Sequence, residues 1–257
     1  MLAVFRPCYS LRQKNFMEKF ANTYSVRSPE IGPQYRLRRE CVGFYFQEAF
    51  AEFCAAKKMA GYDMARIGLT WLITDAQIEY FESDMPFWRE KVETSVEAAE
   101  ISALFFNAVF EMHCGGALAA SGKYRALIAD SNTRRPKKFS DFAERFPNAE
   151  NRKIEIEKFE IKGEKIAEVS QKVRLPDLDF NRHLNNVRYL PRAIESIPEN
   201  VREQKILRKS LVKFVKEARL GDEIISETFA SAENEYCHKL TRAQDGAVLC
   251  LAKTLWQ

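Results

Sequence analysis

Histidine is scarce in this chain. Its 257 residues hold three, His113, His183 and His238, too few for a multi-histidine metal site. Cysteine is sparse as well, and no two cysteines stand together. Cys8, Cys41, Cys54, Cys114, Cys237 and Cys250 form no CxxC pair and no metal-ligand spacing, so no metal is expected. Most lie in apolar stretches, where buried free thiols are the expected state, and this points to a reducing compartment. Long apolar runs are missing: nothing approaches the ~20 residues of a membrane span. The opening MLAVFRPCYSLRQKNF is too polar for a signal peptide. The expectation is a cytoplasmic protein without membrane insertion. A large excess of one charge is missing too. The net charge of +4 falls short of a dedicated nucleic-acid binder, so nucleic acid is not expected as a partner. A weak attraction for acidic partners remains.

What is plentiful is aromatic carbon. Aromatic residues make up 12% of the chain and 19 of them are Phe, which suits large apolar cores or an apolar cavity. The length allows one large domain or two small ones. Basic clusters stand at Arg36, Arg38 and Arg39 and at Arg134, Arg135, Lys137 and Lys138. The plain reading of each is a solvated loop or helix face.

Periodicity gives the order of elements. A strand is expected over 17–27, then a helix over 37–60, where Val42, Phe46, Ala49, Phe50 and Phe53 fall on one broad face. Gly61 is its expected stop. Strands follow over 70–81, 90–96, 102–112 and 117–129, with Gly115-Gly116 as a hairpin turn. The charged run from Asn132 to Lys138, with Pro147 beyond it, reads as a linker carrying a short helix over 139–146. The order then repeats: a strand over 164–174, a helix over 184–197 ended by Pro198, and four strands over 209–216, 223–232, 235–242 and 248–256. Trp88-Arg89-Glu90-Lys91-Val92 precedes a strand as Leu220-Gly221-Asp222-Glu223-Ile224 does. This is a tandem duplication: one unit over 1–135, a linker over 136–163 and a second unit over 164–257. Each unit is α+β, an antiparallel sheet wrapped around a long helix. The two sheets can pair edge to edge, which covers an otherwise open edge.

The densest chemistry lies ahead of the second helix. Asp179, Asn181 and His183 alternate, and in an extended segment alternate side chains share a face. A carboxylate, an amide and an imidazole on one face can orient and activate a water and stabilise an oxyanion. The helix start beyond offers free backbone N–H groups, with one near Asn185 as a candidate oxyanion donor. The competing reading is structural: Asp and Asn ahead of a helix are turn formers and caps, and His183 could bond a backbone carbonyl. His113, by the Gly-Gly turn, and His238, on a strand, are read as structural.

The run DLDFNRHLNNVRYL over 177–190 resembles the motif of the plant and bacterial acyl-acyl-carrier-protein thioesterases: Asp179, Asn181 and His183, then Asn185, Asn186 and Tyr189. Glu195-Ser196-Ile197-Pro198 fits that family's helix end. Leu211 to Ala218 resembles the strand on which the family sets Glu followed by Cys, with Glu217 kept and Ala218 in the cysteine's place. That departure speaks against a cysteine nucleophile. Ser131 to Pro136 is similar to the family's Asp-Thr-Arg-Arg stretch. The resemblance runs from about residue 10 to the end and is sharp only over 179–196.

The resemblance implies tandem hot-dog domains with paired sheets, no cofactor, catalysis in the second domain and the acyl chain held largely in the first. The substrate it implies is an acyl carrier protein bearing a fatty acyl thioester, in a monomer or homodimer. The site residues would be Asp179, Asn181, His183 and Glu217. His183 and Glu217 would position or deprotonate the attacking water, and Asn181 would orient the water or the thioester carbonyl. Asp179 would either hold the constellation or attack the carbonyl directly. Two alternatives are an acyl-CoA thioesterase on the same scaffold and a non-catalytic acyl-binding hot-dog protein. A dehydratase fits the residues less well. A cavity along the first helix is expected to set chain length, with Ala49 on its cavity side.

Overall fold

A computed structural model describes residues 19–81, 84–147, 149 and 152–257. Cys8 and the first two positions of the expected opening strand lie outside them. Ten strands form one antiparallel sheet in the order β1-β3-β4-β5-β2-β7-β10-β9-β8-β6. The first half supplies β1 (Lys19–Ser25), β2 (Leu69–Tyr80), β3 (Lys91–Ile101), β4 (Phe105–Cys114) and β5 (Ala117–Asp130). The second supplies β6 (Glu164–Lys172), β7 (Leu207–Phe214), β8 (Glu223–Ala232), β9 (Glu235–Arg242) and β10 (Val248–Trp256). Read outward from the centre, the halves follow the same path. They join where β2 meets β7, with Asp75 opposite Lys213 and Glu79 opposite Lys209. Gly115 and Gly116 turn the β4–β5 hairpin with φ of 57° and 87°, the left-handed region that glycine reaches without strain.

The first-half helix, α1 (Val42–Ala56), is shorter than expected. Residues 37–41 do not join it because Arg38 is extended, with its N–H on the Glu30 carbonyl (2.9 Å). Lys58, at φ 55°, ends the helix. Gly61 instead opens a second one, α2 (Gly61–Arg66). Along α1, Val42, Phe46, Ala49, Phe50 and Phe53 are buried as the spacing predicts. Phe46 stacks on Phe110 (5.1 Å). Phe106 meets Phe139 (5.3 Å) and Phe146 (5.0 Å). The stretch expected to begin the linker is therefore packed in part against the first half. Its 3-10 turn over Phe139–Arg145 sets Phe139 fully inside the core.

The second-half helix is reduced further. A 3-10 turn over Asn186–Arg188 leads into α3 (Tyr189–Ile194), and Pro198 precedes α4 (Glu199–Gln204). Pro191 is tolerated because it falls in the first turn, where its missing N–H has no partner to lose. Behind α3 the core carries a polar chain. Ser196 bonds Thr228 (2.7 Å), and His238 lies between Thr228 (3.0 Å) and Thr254 (2.9 Å). All four are buried, and each bond offsets the cost of removing a polar group from water. The duplication extends to the loops. The backbone N–H of Gly32 donates to the Arg36 carbonyl at 2.8 Å, as that of Asp179 does to His183 at 2.8 Å. Glu90 accepts from the N–H of Phe87 (2.6 Å), as Asp222 does from Arg219 (2.9 Å).

Candidate active site

Asp179, Asn181, His183 and Glu217 line one cavity of about 390 Å³, together with Arg134 and, from β2, residues 70–74. The expected extended segment is instead a tight turn. The N–H of Arg182, at φ 62°, donates to the Asp179 carbonyl (3.0 Å), and the Asp179 N–H donates to the His183 carbonyl (2.8 Å). The reason is the Asp179 side chain, whose Oδ1 accepts from the backbone N–H of Asn181 (2.8 Å) and of His183 (3.1 Å). A short carboxylate that captures the next amides favours a turn over a strand. Both readings of Asp179 thus have a place. Oδ1 closes the turn, while Oδ2 has no protein partner among the described residues.

His183 sits at the centre of an ionic ring. Its Nε2 is 3.2 Å from Glu217 Oε2, and Arg134 Nη2 is 2.6 Å from Glu217 Oε1. The same Arg134 nitrogen stands 3.5 Å from His183 Nδ1. A guanidinium only donates, so Nδ1 is the acceptor and Nε2 carries the proton toward Glu217. The His183 side chain is 12% exposed against 35% for Glu217, so the imidazole is shielded while its carboxylate partner meets the cavity.

Arg134 arrives from the first half. It follows β5 at φ 59°, in a turn tied by its N–H to the Asp130 carbonyl (3.0 Å). Sequence reasoning set this residue among solvated cations. The available signal is the Thr-Arg-Arg resemblance, which by itself assigns Arg134 no place in the site. Tyr189 is the second support. Its hydroxyl donates to the Lys216 carbonyl (3.4 Å) and accepts from the Ala218 N–H (3.1 Å), gripping both neighbours of Glu217. Arg242 donates to the Glu217 carbonyl (2.7 Å). Ala218 is fully buried, so the position where the family often has cysteine faces the core.

The N–H of Asn185 is not available to an oxyanion, because it donates to the Asp177 carbonyl (2.9 Å). The Asn185 side chain in turn accepts from the Val187 N–H (3.3 Å). The amide groups of Asn181 and Asn186 line the cavity and bond no protein group among the described residues. Their N–H groups are free to meet a ligand. His113 is half-buried on β4 and His238 is deep in the second core; neither reaches the cavity. Among the described residues no cluster of three or more His, Cys, Asp or Glu is arranged to hold a metal.

An apolar groove of about 310 Å³ adjoins the cavity, with Asp179, Asn181, Asn186, Trp71 and Ile73 lining both. On α1 its wall is Gln47, Phe50, Ala51 and Cys54. Ala49, expected on the cavity side, is fully buried and lines neither space. A narrower channel continues between the halves, lined by Gly43, Ala76 and Tyr124 of the first and by Val187, Leu190 and Val212 of the second. The exposed ring of Phe180 lies over the groove against Gly61, where an added Cβ would come within 2.4 Å of it. An imidazole between a carboxylate and a guanidinium, beside free amides at the mouth of an apolar groove, can activate water against a carbonyl attached to a hydrocarbon chain.

Sequence models of two families match the chain. One, described as the acyl-ACP thioesterase C-terminal domain, covers residues 161–257, and the other, the thioesterase-like superfamily, covers 37–146. The second half thus carries an acyl-ACP thioesterase C-terminal domain and the first a thioesterase-like domain. Among curated relatives, a chloroplastic acyl-[acyl-carrier-protein] hydrolase of Cuphea viscosissima is 25% identical over 93% of this chain. An oleoyl-acyl carrier protein thioesterase of Arabidopsis thaliana is 22% identical over 95% of it. The chain spans 62% of the length of the Cuphea protein and 76% of the Arabidopsis one. The solved 12:0-ACP thioesterase from Umbellularia californica has the same fold. It superposes with a TM-score of 0.80 at 19% identity, covering 93% of this chain and 97% of that one. An acyl-ACP thioesterase from Bacteroides thetaiotaomicron gives 0.78 at 19% identity, covering 93% and 98%. The acyl-ACP thioesterase fold is the tandem hot-dog arrangement of paired sheets that the sequence implied.

Proposed function

We propose that the protein hydrolyses fatty acyl thioesters carried on acyl carrier protein, releasing a free fatty acid and the carrier thiol. The observation that carries this reading is the Arg134–Glu217–His183 ring at the mouth of the apolar groove. The acyl chain lies in that groove and its continuation between the halves, so both halves hold it. Water attacks the thioester carbonyl carbon and gives its proton to His183 Nδ1, displacing the long 3.5 Å contact from Arg134. Glu217 holds the ring in the tautomer that leaves Nδ1 as the base and stabilises the imidazolium that forms, the logic of an oriented histidine. Asp179 Oδ2 accepts the water's second hydrogen and so aims its lone pair, which makes Asp179 a positioning group on this route. The Asn181 amide donates to the carbonyl oxygen as it becomes an oxyanion. Collapse of the tetrahedral intermediate breaks the C–S bond, and the leaving thiolate takes the proton from the imidazolium. Arg134 fixes Glu217 and adds positive charge beside the oxyanion.

No metal or organic cofactor enters this scheme. The seam between the halves supplies the pairing that a single hot-dog obtains from a second copy, so a monomer completes the site and a homodimer remains compatible. A reducing cytoplasmic setting belongs to the same reading, supported by the free thiols of Cys41, Cys54, Cys237 and Cys250, all buried.

The test is hydrolysis of the same acyl chains presented on carrier protein and on CoA. The carrier-bound series is expected to be preferred. His183→Ala and Glu217→Gln are each expected to cost about 10²–10⁴-fold in kcat, with circular dichroism and melting temperature unchanged. Preference for CoA would keep the site and change the substrate, and absence of hydrolysis on both would overturn the assignment.

A further inference from the structure

The duplication gives the candidate site a counterpart in the first half. Residues 31–41 trace the path of 178–188, with Ile31 bridged to Leu37 as Leu178 is to Leu184. The turn residues Tyr35 and Arg182 match at φ 58° and 62°. Leu37 donates its N–H to the Pro86 carbonyl at 2.8 Å, as Leu184 does to that of Ala218 at 2.8 Å. These bonds fix the correspondence residue by residue. Gly32 stands where Asp179 does, Gln34 where Asn181 does, Arg36 where His183 does, and Met85 where Glu217 does. The carboxylates are gone and the imidazole has become a guanidinium that does not release its proton near neutral pH. Acid–base hydrolysis has no basis there.

The cavity nevertheless persists, at about 520 Å³, and its charge is transformed. Arg36, Arg38, Arg202 and Lys205 line it against Glu40 and Asp84. In the candidate active site Arg134 and Lys216 stand against Asp179 and Glu217. An even balance has become an excess of two positive charges among these residues. The two carboxylates do not absorb it. Asp84 is 3.8 Å from Arg36 and Glu40 is 3.7 Å from Arg38, both beyond hydrogen-bond length. The guanidinium of Arg202, exposed on α4, bonds no protein group among the described residues. Beneath the cations the floor is apolar, formed by Leu37, Met85, Leu207 and Trp256.

We propose that this first-half pocket is a non-catalytic binding site for a phosphate-bearing small molecule. Arg36, Arg38 and Arg202 hold the phosphate and the apolar floor takes the rest of the ligand. Arg36 and Arg38 each spend one N–H on a backbone carbonyl, of Met85 (3.2 Å) and Pro29 (2.9 Å), which leaves the rest of each guanidinium fork to match the oxygens of a phosphate. The volume of this open cavity is that of a small-molecule site, about 300–1,000 Å³, and the charge excess suits a dianion.

Calorimetric titration of the full chain tests this with two probes, inorganic pyrophosphate and CoA. CoA is expected to bind the pocket saturably and more tightly than pyrophosphate, because only CoA engages the floor. Arg202→Gln, on the surface and removing no side-chain bond among the described residues, is expected to weaken CoA binding about tenfold, the size of one charge-assisted hydrogen bond. Arg36→Gln should do the same. Arg202→Gln is expected to hydrolyse acyl thioesters at the wild-type rate. Glu217→Gln and Arg134→Gln should leave this binding intact, which separates it from the proposed active site. Absence of saturable binding of either probe would overturn the proposal. So would binding that survives Arg202→Gln and Arg36→Gln but is lost in Arg134→Gln, because the ligand would then occupy the other cavity. Equal affinity for the two probes would overturn the role of the floor.

Discussion

Single residues in this protein take opposite roles according to what surrounds them, and histidine illustrates it. His183 is held between a carboxylate and a guanidinium at a cavity mouth. His238 lies between two threonine hydroxyls with no exposure. Burial holds the His238 imidazole down to about 3, from its usual 6.5. The consequence for stability has a definite sign. Above pH 6.5 the ring is neutral in folded and unfolded chains alike, and its contribution is fully present. As pH falls below 6.5 the unfolded chain takes up a proton that the folded one refuses, so stability drops by up to about 1.4 kcal/mol per pH unit. The drop continues until the folded ring titrates near 3. His238→Gln removes the titration and keeps an amide for the two hydroxyls. Urea melts between pH 4 and 7 are expected to show a shallower acid-side slope for the variant by about one proton. Parallel slopes for the two proteins would show that His238 does not couple folding to pH.

At the scale of elements, the strands were legible in the sequence and the helices less so. Alternation and turn residues placed β8, β9 and β10 at their observed ends, because a strand with one buried face must keep a period of two. Helix limits depended on partners distant in sequence. Arg38 is drawn out of α1 by Glu30, and the run before α3 is curled by Asp179 onto its own amides. The four candidate residues were named from the sequence, but for Asp179, Asn181 and His183 the argument assumed an extended face, and a turn is what brings them together. Arg134 was not placed because it reaches the site from the other half, and nothing local to it carries that information. The groove beside α1 was likewise misassigned. Spacing marks Ala49 as apolar but does not say whether sheet or cavity lies opposite. Ala51, on the groove and exposed, is the position for a size test. Ala51→Phe is expected to fold within about 0.5 kcal/mol of wild type and to shift released fatty acids toward shorter chains. Ala49→Phe, fully inside the core, is expected to cost about 1–3 kcal/mol by overpacking. An unchanged chain-length profile in Ala51→Phe would place the acyl chain elsewhere.

For the whole molecule, duplication followed by fusion has two effects that the paired sheets make physical. It covers the β2 and β7 edges permanently, and it lets the two copies of one loop diverge. In the second half that loop keeps Asp179, Asn181 and His183; in the first it carries Gly32, Gln34 and Arg36. Neither half is self-sufficient. The candidate site draws Arg134 and β2 from the first half and everything else from the second. The seam adds a Tyr80 hydroxyl bonded to Ser210 (3.2 Å) and Glu79 beside Lys209 (3.4 Å). Residues 164–257 produced alone would expose the β7 edge, with Ser210, Leu211 and Val212 stripped of cover, a ready template for strand addition. The isolated half is expected to self-associate through β7, seen as a dimer or larger species by light scattering after size exclusion. It is expected to show no hydrolysis even when dimeric, because pairing restores the sheet but not Arg134. A well-folded monomer would mean that the seam is dispensable to the second core, and an active one would mean that Arg134 does not support Glu217.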